Sequence, residues 1–456
     1  MNPPQDNITT AYIKKTGRSK EAYERAVTLL PGGASASGRT FKPHPLYMNR
    51  ATGNRIYDLD NNEYIDYLMG YGSLLLGHRH PDVLEAVQKQ INRGFTYGTP
   101  TEPEIDLAEK ISNAIPCAEM VRFANSGTEA VAYALKVVRA YTGRDKVAKF
   151  EGGYHGNFDD MLMSFLLLPD KAGPVDRPNP IPFGSGIPSK RLDDTVVLPY
   201  NNIEASKAII EENSDELAAV IIEPFQGAAG CISAEKEFLS AIRKVTEDHD
   251  IVLIFDEIYT GFRLAFGGAT EYFGIVPDMV TLGKIVGGGF PIGALAGRKE
   301  IMEKMVPTKN LTVDMTTKVY QSGTFNAYPL TMAAGLSTIR KIEEAGNTLY
   351  QKLNRLGDTM IKGLGDVFLD SHIDARVTGL GSMCNIHFVD HPVRSVRDLF
   401  SADGKKVGLL YLGLLNNGIF VIPPVHLTLS TLHDEDDVRV LLEAAARSIR
   451  DITSQG

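Results

Sequence analysis

Few cysteines, no leader-like start and no long apolar run set aside several classes of protein at once. The three cysteines, Cys117, Cys231 and Cys384, are odd in number and far apart, so they suggest neither a disulfide framework nor a metal knuckle. A reducing compartment fits them best. The opening residues Met1-Asn-Pro-Pro-Gln-Asp-Asn lack a basic start followed by an apolar core, and no apolar stretch is long enough to span a bilayer. A soluble, cytoplasmic protein is expected. Basic residues are also in short supply: 47 Lys plus Arg against 56 Asp plus Glu give a formal charge of −9. That mildly acidic balance argues against a nucleic-acid or anionic-membrane partner. No internal repeat or low-complexity tract is present.

What is there suffices for a large core. At 456 residues and 43% hydrophobic, the chain is expected to form more than one lobe. Residues up to Tyr71 read as a helix over 20–30 and two short strands near 55–59 and 63–68, turned by Asp60-Asn-Asn62. From there to Ala334, apolar runs alternate with amphipathic helices, such as those over 81–93 and 235–249. Such alternation predicts an α/β fold with a mostly parallel sheet covered on both faces. The last part holds strand candidates at 383–388 and 418–422 and a helix over 435–449, expected to fold back on the N-terminal segment. The division expected is thus a large domain over 72–334 and a smaller α+β domain from 1–71 and 335–456. Residues 169–194, irregular and rich in Pro, Gly and Lys, read as a long surface loop over the site.

Five sites lie where apolar runs end. Lys284, in Thr281-Leu-Gly-Lys-Ile-Val-Gly-Gly-Gly-Phe-Pro-Ile-Gly293, follows the run 279–282, and Asp256 ends the run Ile251-Val-Leu-Ile-Phe255. Two strand ends can so bring an amine and a carboxylate together; a lysine between glycines is equally a solvated loop residue. Asn125-Ser-Gly-Thr-Glu129 follows the run 120–124 and opens a helical pattern through Ala130, Ala134, Leu135 and Val138 to Gly143. Free N–H groups and hydroxyls at a helix N-terminus suit an anion, although Ser126 could be an N-cap and nothing more. Glu151-Gly-Gly-Tyr-His-Gly156 offers Tyr154 as an aromatic to lie on a planar heterocycle, or simply to cover a hydrophobic patch, with His155 behind it. Glu223-Pro-Phe-Gln-Gly227 puts Glu223 and Gln226 at a strand end, where open α/β sheets place ligands; a helix cap is the plainer reading.

Taken in order, Asn125-Ser-Gly-Thr-Glu129, Tyr154-His-Gly156, Glu223-Pro224, Asp256-Glu-Ile258 with Thr260-Gly-Phe-Arg263, Lys284 and Gln321-Ser-Gly-Thr324 resemble a class III, fold type I aminotransferase dependent on pyridoxal 5'-phosphate. Val121-Arg-Phe-Ala-Asn-Ser-Gly-Thr-Glu129, Thr142-Gly-Arg-Asp-Lys146 and Phe150-Glu-Gly-Gly-Tyr-His-Gly156 resemble its glutamate-1-semialdehyde aminomutase branch, which includes aminotransferases of β-amino acids. The resemblance runs from about residue 30 to about residue 448. It implies that Lys284 and Asp256 are catalytic, the lysine holding the cofactor's aldehyde and the acid keeping the pyridine nitrogen protonated. It also implies Ser126, Gly127 and Thr128 at the phosphate, Tyr154 and Ile258 on the two ring faces, and His155, Glu223 and Gln226 around them. Gly323-Thr324 matches a pair that reaches the phosphate from the second subunit, so a homodimer with shared sites is expected.

On the substrate side, Arg39 matches the carboxylate-holding arginine of the aminomutase branch, and its guanidinium suits bidentate binding. A solvated loop arginine is the alternative. Tyr71, Phe41 and Tyr328 are candidates for an apolar or aromatic pocket, and His426 for a weak second carboxylate ligand. Thr378-Gly-Leu-Gly-Ser-Met-Cys-Asn-Ile-His-Phe388 and Val393-Arg-Ser-Val-Arg-Asp-Leu399 look like β-amino acid aminotransferases. Ala36 and Ser37 stand where aminomutases read Ser-Pro, Phe325-Asn-Ala-Tyr328 replaces Leu-Ser-Gly-Asn, and Ile422-Pro-Pro-Val-His-Leu-Thr-Leu-Ser430 lacks a longer Glu-containing loop. These departures favour ping-pong transfer between an amine or non-α (β or ω) amino acid and a keto acid or aldehyde over an aminomutase. A nucleotide-binding protein is the reading from another class, but Gly287-Gly-Gly289 has neither dinucleotide-fingerprint nor Walker spacing.

Overall fold

The apolar runs become seven strands of one sheet in the computed structural model, which describes residues 6–454. They are β1 (Met120–Ala124), β2 (Lys146–Phe150), β3 (Thr195–Leu198), β4 (Leu217–Ile222), β5 (Val252–Asp256), β6 (Met279–Gly283) and β7 (Gly293–Gly297). Their order is β1-β7-β6-β5-β4-β2-β3. Neighbours from β6 to β3 run parallel, while β7 is antiparallel to both β6 and β1. The link 284–292 is too short for a parallel crossover, so the chain must turn back at Lys284. Every residue of β4 and β5 is buried, as their unbroken apolar composition requires of strands covered on both faces. Helix α1 (Gly127–Thr142) packs Val131, Leu135 and Val138 into the same core as Ile221, Ile254 and Leu295.

This arrangement sends several chain segments to one edge of the sheet. Strands β2, β4, β5 and β6 are parallel and end at Phe150, Ile222, Asp256 and Gly283, so Glu151, Glu223, Asp256 and Lys284 all emerge at their carboxyl ends.

The chain divides into two compact units. The sheet unit comprises Pro81–Gln351 and Val393–Phe400; the other comprises the chain up to His80, Lys352–Pro392 and everything from Ser401. In the second unit Met48–Thr52, Arg55–Asp58, Glu63–Asp66 and Ile419–Phe420 form one sheet, and Arg376–Leu380, Met383–His387 and His426–Thr428 another. Ile419 pairs with Ile65 across a parallel ladder, which brings the two ends of the chain together.

The boundaries differ from 71/72 and 334/335. Residues 72–80 stay with the N-terminal strands because His78 bonds Asp66 at 2.7 Å and Leu75 accepts the N–H of Thr431 at 2.8 Å. Helix Pro329–Asp370 begins in the sheet unit, where Glu343 meets Lys110 at 2.6 Å and Tyr350 Oη donates to Phe262 O at 3.2 Å. It leaves beyond a break at Gly346. The first long helix pair also shifts: Gly17–Ala26 stops short of the expected 30, since Pro31–Gly33 forms its own turn. Residues 169–194 are irregular apart from the turn Ser189–Leu192, but they are tied down, for Arg397 donates to the carbonyls of Ala172, Gly173 and Pro174. Among the described residues no helix is long and apolar enough to cross a membrane, and no cluster of three or more His, Cys, Asp or Glu forms a metal site.

Candidate active site

Lys284 is the first residue after β6 and adopts φ +48°, a left-handed backbone that costs a lysine roughly 1–3 kcal/mol. The turn directs its amine inward, 4.9 Å from the ring centre of Tyr259. Burial lowers the pKa of that amine, with Arg263 acting in the same direction and Asp256 and Glu223 opposing. A buried lysine that is more easily neutral can act as a base or nucleophile.

Asp256, 3% exposed, is held by both oxygens. Oδ2 accepts from His155 Nδ1 at 2.7 Å, and Oδ1 accepts from the Ile258 N–H at 3.1 Å. Since an ionised carboxylate only accepts, His155 carries its proton on Nδ1, and its buried Nε2 is left as an acceptor without a partner. Burial lowers the His155 pKa, with Asp256 pulling it back up. Asp256 has lone pairs left over for a further donor, such as a ring N–H.

Glu223 lies at the end of β4 with its Oε2 accepting the Tyr154 N–H at 2.8 Å. Burial first, and the nearby Asp256 second, push its pKa up, while the Tyr154 N–H and the Lys284 and Lys149 amines pull it back. Gln226 is fully buried and donates through Nε2 to Glu151 O at 2.8 Å, while its Oε1 has no hydrogen-bond partner. Tyr154 is 39% exposed, its ring 5.1 Å from that of Phe165.

At the N-terminus of α1, Ser126 is the N-cap, its Oγ accepting the Glu129 N–H at 3.2 Å. The first intrahelical bond is Ala130 N–H to Ser126 C=O, so the N–H groups of Gly127 and Thr128 precede the helical ladder. A Cβ on Gly127 would come within 2.5 Å of Ile258 Cδ1, and one on Gly156 within 2.8 Å of Thr128. Glycine is thus required where three segments close on one another, and Ile258, Gly127, Thr128 and Gly156 share one small space. A positive helix terminus, an acid with spare lone pairs and a desolvated amine are the donor set that a phosphate-bearing pyridine aldehyde requires, so the residues present fit that group.

The remaining candidates fall elsewhere. Gln321-Ser-Gly-Thr324 passes the end of β1, with Gln321 Nε2 donating to Phe123 O at 3.0 Å, and Gly323 and Thr324 are exposed on the single chain. Tyr328 packs with Phe95 and Phe325, at ring distances of 6.4 and 5.8 Å. Arg39, Tyr71 and His426 belong to the second unit. There Arg39 ends the exposed turn Ser37–Arg39, Tyr71 Oη donates to Gly38 O at 3.1 Å, and His426 starts the strand His426–Thr428.

Sequence reading passed over Tyr259, Lys149 and Arg397. Tyr259 carried a signal, lying three residues after Asp256 where a turn brings it under the lysine. Lys149 did too, as a charge inside the apolar run Val147-Ala-Lys-Phe150. Arg397 lies in the stretch 393–399, but nothing local tied it to Glu151: their ion pair, at 2.7 Å, joins residues 246 apart in sequence.

Comparison with known proteins agrees with this geometry. The family pattern described as Aminotransferase class-III matches residues 36–438. A curated relative, glutamate-1-semialdehyde 2,1-aminomutase of Methanothermobacter thermautotrophicus, is 44% identical over 94% of this chain and 98% of its own length. Among solved structures, an omega-transaminase from Sphaerobacter thermophilus superimposes with a TM-score of 0.90 at 37% identity, over 97% of this chain and 99% of that one. A beta-phenylalanine aminotransferase from Variovorax paradoxus gives 0.86 at 32% identity, over 98% and 97%. The chain therefore belongs to the class III aminotransferases and is a fold type I enzyme dependent on pyridoxal phosphate.

Proposed function

We propose that the enzyme moves an amino group within one molecule, in the manner of a glutamate-1-semialdehyde 2,1-aminomutase. The observation that carries this reading is the 44% identity to a protein of that name across 94% of the chain. It outweighs the departures at Ala36-Ser37 and Phe325–Tyr328, which by themselves pointed to intermolecular transfer. When bound, pyridoxal phosphate supplies an aldehyde carbon that can carry the amino group and a ring that accepts electrons.

The protein's own residues supply the rest. Lys284 Nζ would hold the cofactor covalently and, as a free amine, would take and return the proton at the substrate carbon. Asp256, oriented by His155 and Ile258 N–H, would face the ring nitrogen and favour its protonated form. Ser126, Gly127 and Thr128 hold the phosphate, Ile258 and Tyr154 flank the ring, and Glu223 and Gln226 support the Tyr154 segment. On the substrate side, Arg39 is the candidate for holding a carboxylate through its guanidinium.

The test is direct. Purified holoenzyme given glutamate-1-semialdehyde and no acceptor is expected to isomerise it. Intermolecular transamination is the second reading, favoured by the 0.90 TM-score to an omega-transaminase. It requires that an amine donor alone release a carbonyl product, and that the aminated enzyme accumulate until pyruvate or 2-oxoglutarate is added; that result would replace the first reading.

The same proposal includes a cytoplasmic homodimer in which Gly323 and Thr324 of each chain serve the other's phosphate site. Random mixing of Lys284→Ala and Thr324→Ala subunits makes half the dimers mixed, each with one intact site. Two poor enzymes should then recover roughly a quarter of wild-type activity. No recovery, with exchange of subunits verified, would mean that each site is built within one chain.

A further inference from the structure

Lys149 puts an ammonium into the apolar run at the end of β2, with no exposure to solvent. Its three N–H donors meet three backbone carbonyls: Gly153 at 2.8 Å, Met161 at 3.1 Å and Met163. A lone buried charge is costly, but here every donor is satisfied and Glu223 supplies the opposing charge. The three carbonyls lie at the near and far ends of the segment 151–164. A further bond, Gly152 N–H to Ser164 O at 2.8 Å, closes the same loop.

The peptide group joining Gly153 to Tyr154 is gripped on both edges. Its carbonyl accepts from Lys149, and its N–H, on Tyr154, donates to Glu223 Oε2. A cation on one edge and a carboxylate on the other align with the peptide dipole, and charge-assisted bonds are the stronger kind. That plane fixes the N–Cα bond of Tyr154, and with it the point from which the side chain departs. The Tyr154 ring itself is 39% exposed and packs on Phe165 at 5.1 Å.

We propose that Lys149 is a positioning residue which, with Glu223, holds Tyr154 against the cofactor ring; the proposal rests on the cofactor site described above. The groups that face Lys149 are Glu223 at the end of β4 and His155, with Asp256 and Lys284 beyond Glu223. Burial pulls the Lys149 pKa down while Glu223 opposes, and Lys149 in turn restrains the rise of Glu223, so each group favours the charged form of the other.

The experiment compares cofactor-loaded wild type with Lys149→Met by hydrogen exchange and by circular dichroism of the cofactor's visible band. Peptides from 151–164 should exchange about tenfold faster in the variant, as expected when charge-assisted bonds are lost, while β4 and β5 stay protected. The visible dichroism should fall at least about twofold because the ring loses its ordered aromatic neighbour, an effect that a purely structural role would not produce. Unchanged exchange and dichroism would overturn the proposal. If Lys149→Met does not fold, Glu223→Gln is measured instead; it removes the charge from the other edge of the same peptide and should loosen 151–164 in the same direction. Wild-type protection there would also overturn the proposal. Borohydride label on a lysine other than Lys284 would sink the cofactor-site reading, leaving exchange to decide the Lys149 clamp.

Discussion

Lys284→Ala is expected to lower turnover by at least about 10⁴-fold while the protein stays folded and retains some affinity for the cofactor. One side chain is asked to do two things: hold the cofactor covalently and carry the proton at the substrate carbon. General acid–base action by a positioned group is worth about 10²–10⁴ on its own, and groups that act as a unit do not lose their effects additively. Lys149 is the other buried amine near by, but its three donors are taken by Gly153, Met161 and Met163. Phosphate contacts at the start of α1 do not depend on the lysine, so cofactor should still bind, in exchangeable form. Single-turnover assays of the loaded variant check the prediction, and turnover within tenfold of wild type would refute it.

Asp256→Asn should cost about 10²–10³-fold in turnover, the usual scale for deleting one preorganised electrostatic contact at a reacting centre. The amide keeps the size of the side chain and can still accept the Ile258 N–H, so folding and cofactor binding should survive. What it loses is the negative charge that favours a protonated ring nitrogen, and each unit of pKa is worth about 1.4 kcal/mol. His155 Nδ1–H, now 2.7 Å from a carboxylate oxygen, would face the amide NH2, so that hydrogen bond is lost unless the imidazole moves its proton to Nε2. Steady-state kinetics on the purified variant, with cofactor content measured, decide the matter. Near-normal turnover would remove Asp256 from the electronic role.

Much of this could be read before any coordinates. Strands β4 and β5 are unbroken apolar runs, and helix Pro81–Arg93 has the expected bounds, because burial on both faces or on one stripe leaves a local pattern. The motif residues Glu223, Asp256 and Lys284 were visible as polar breaks at the ends of such runs. The reversal at β7 and the allegiance of 393–400 were not, since they depend on which distant segments pair. Arg397 with Glu151 is of the same kind: neither residue has a neighbour in sequence that announces the other. Lys149 was legible as a charge within a strand, but its meaning lies in three carbonyls that only the folded loop 151–164 presents. On the finer function, the local signals and the overall likeness point different ways. Departures at Ala36-Ser37 and Phe325–Tyr328 argued for intermolecular transfer, whereas the curated aminomutase shares 44% of its residues with this chain.

The account depends most on the covalent link at Lys284. Purified protein loaded with pyridoxal phosphate should be reduced with borohydride, digested and its modified peptide sequenced by mass spectrometry. Reduction should abolish the visible absorption band and leave a single cofactor label, on the peptide containing Thr281-Leu-Gly-Lys284 and on Lys284 itself. A label on any other lysine, Lys149 included, or a band that forms with no lysine labelled, would contradict this.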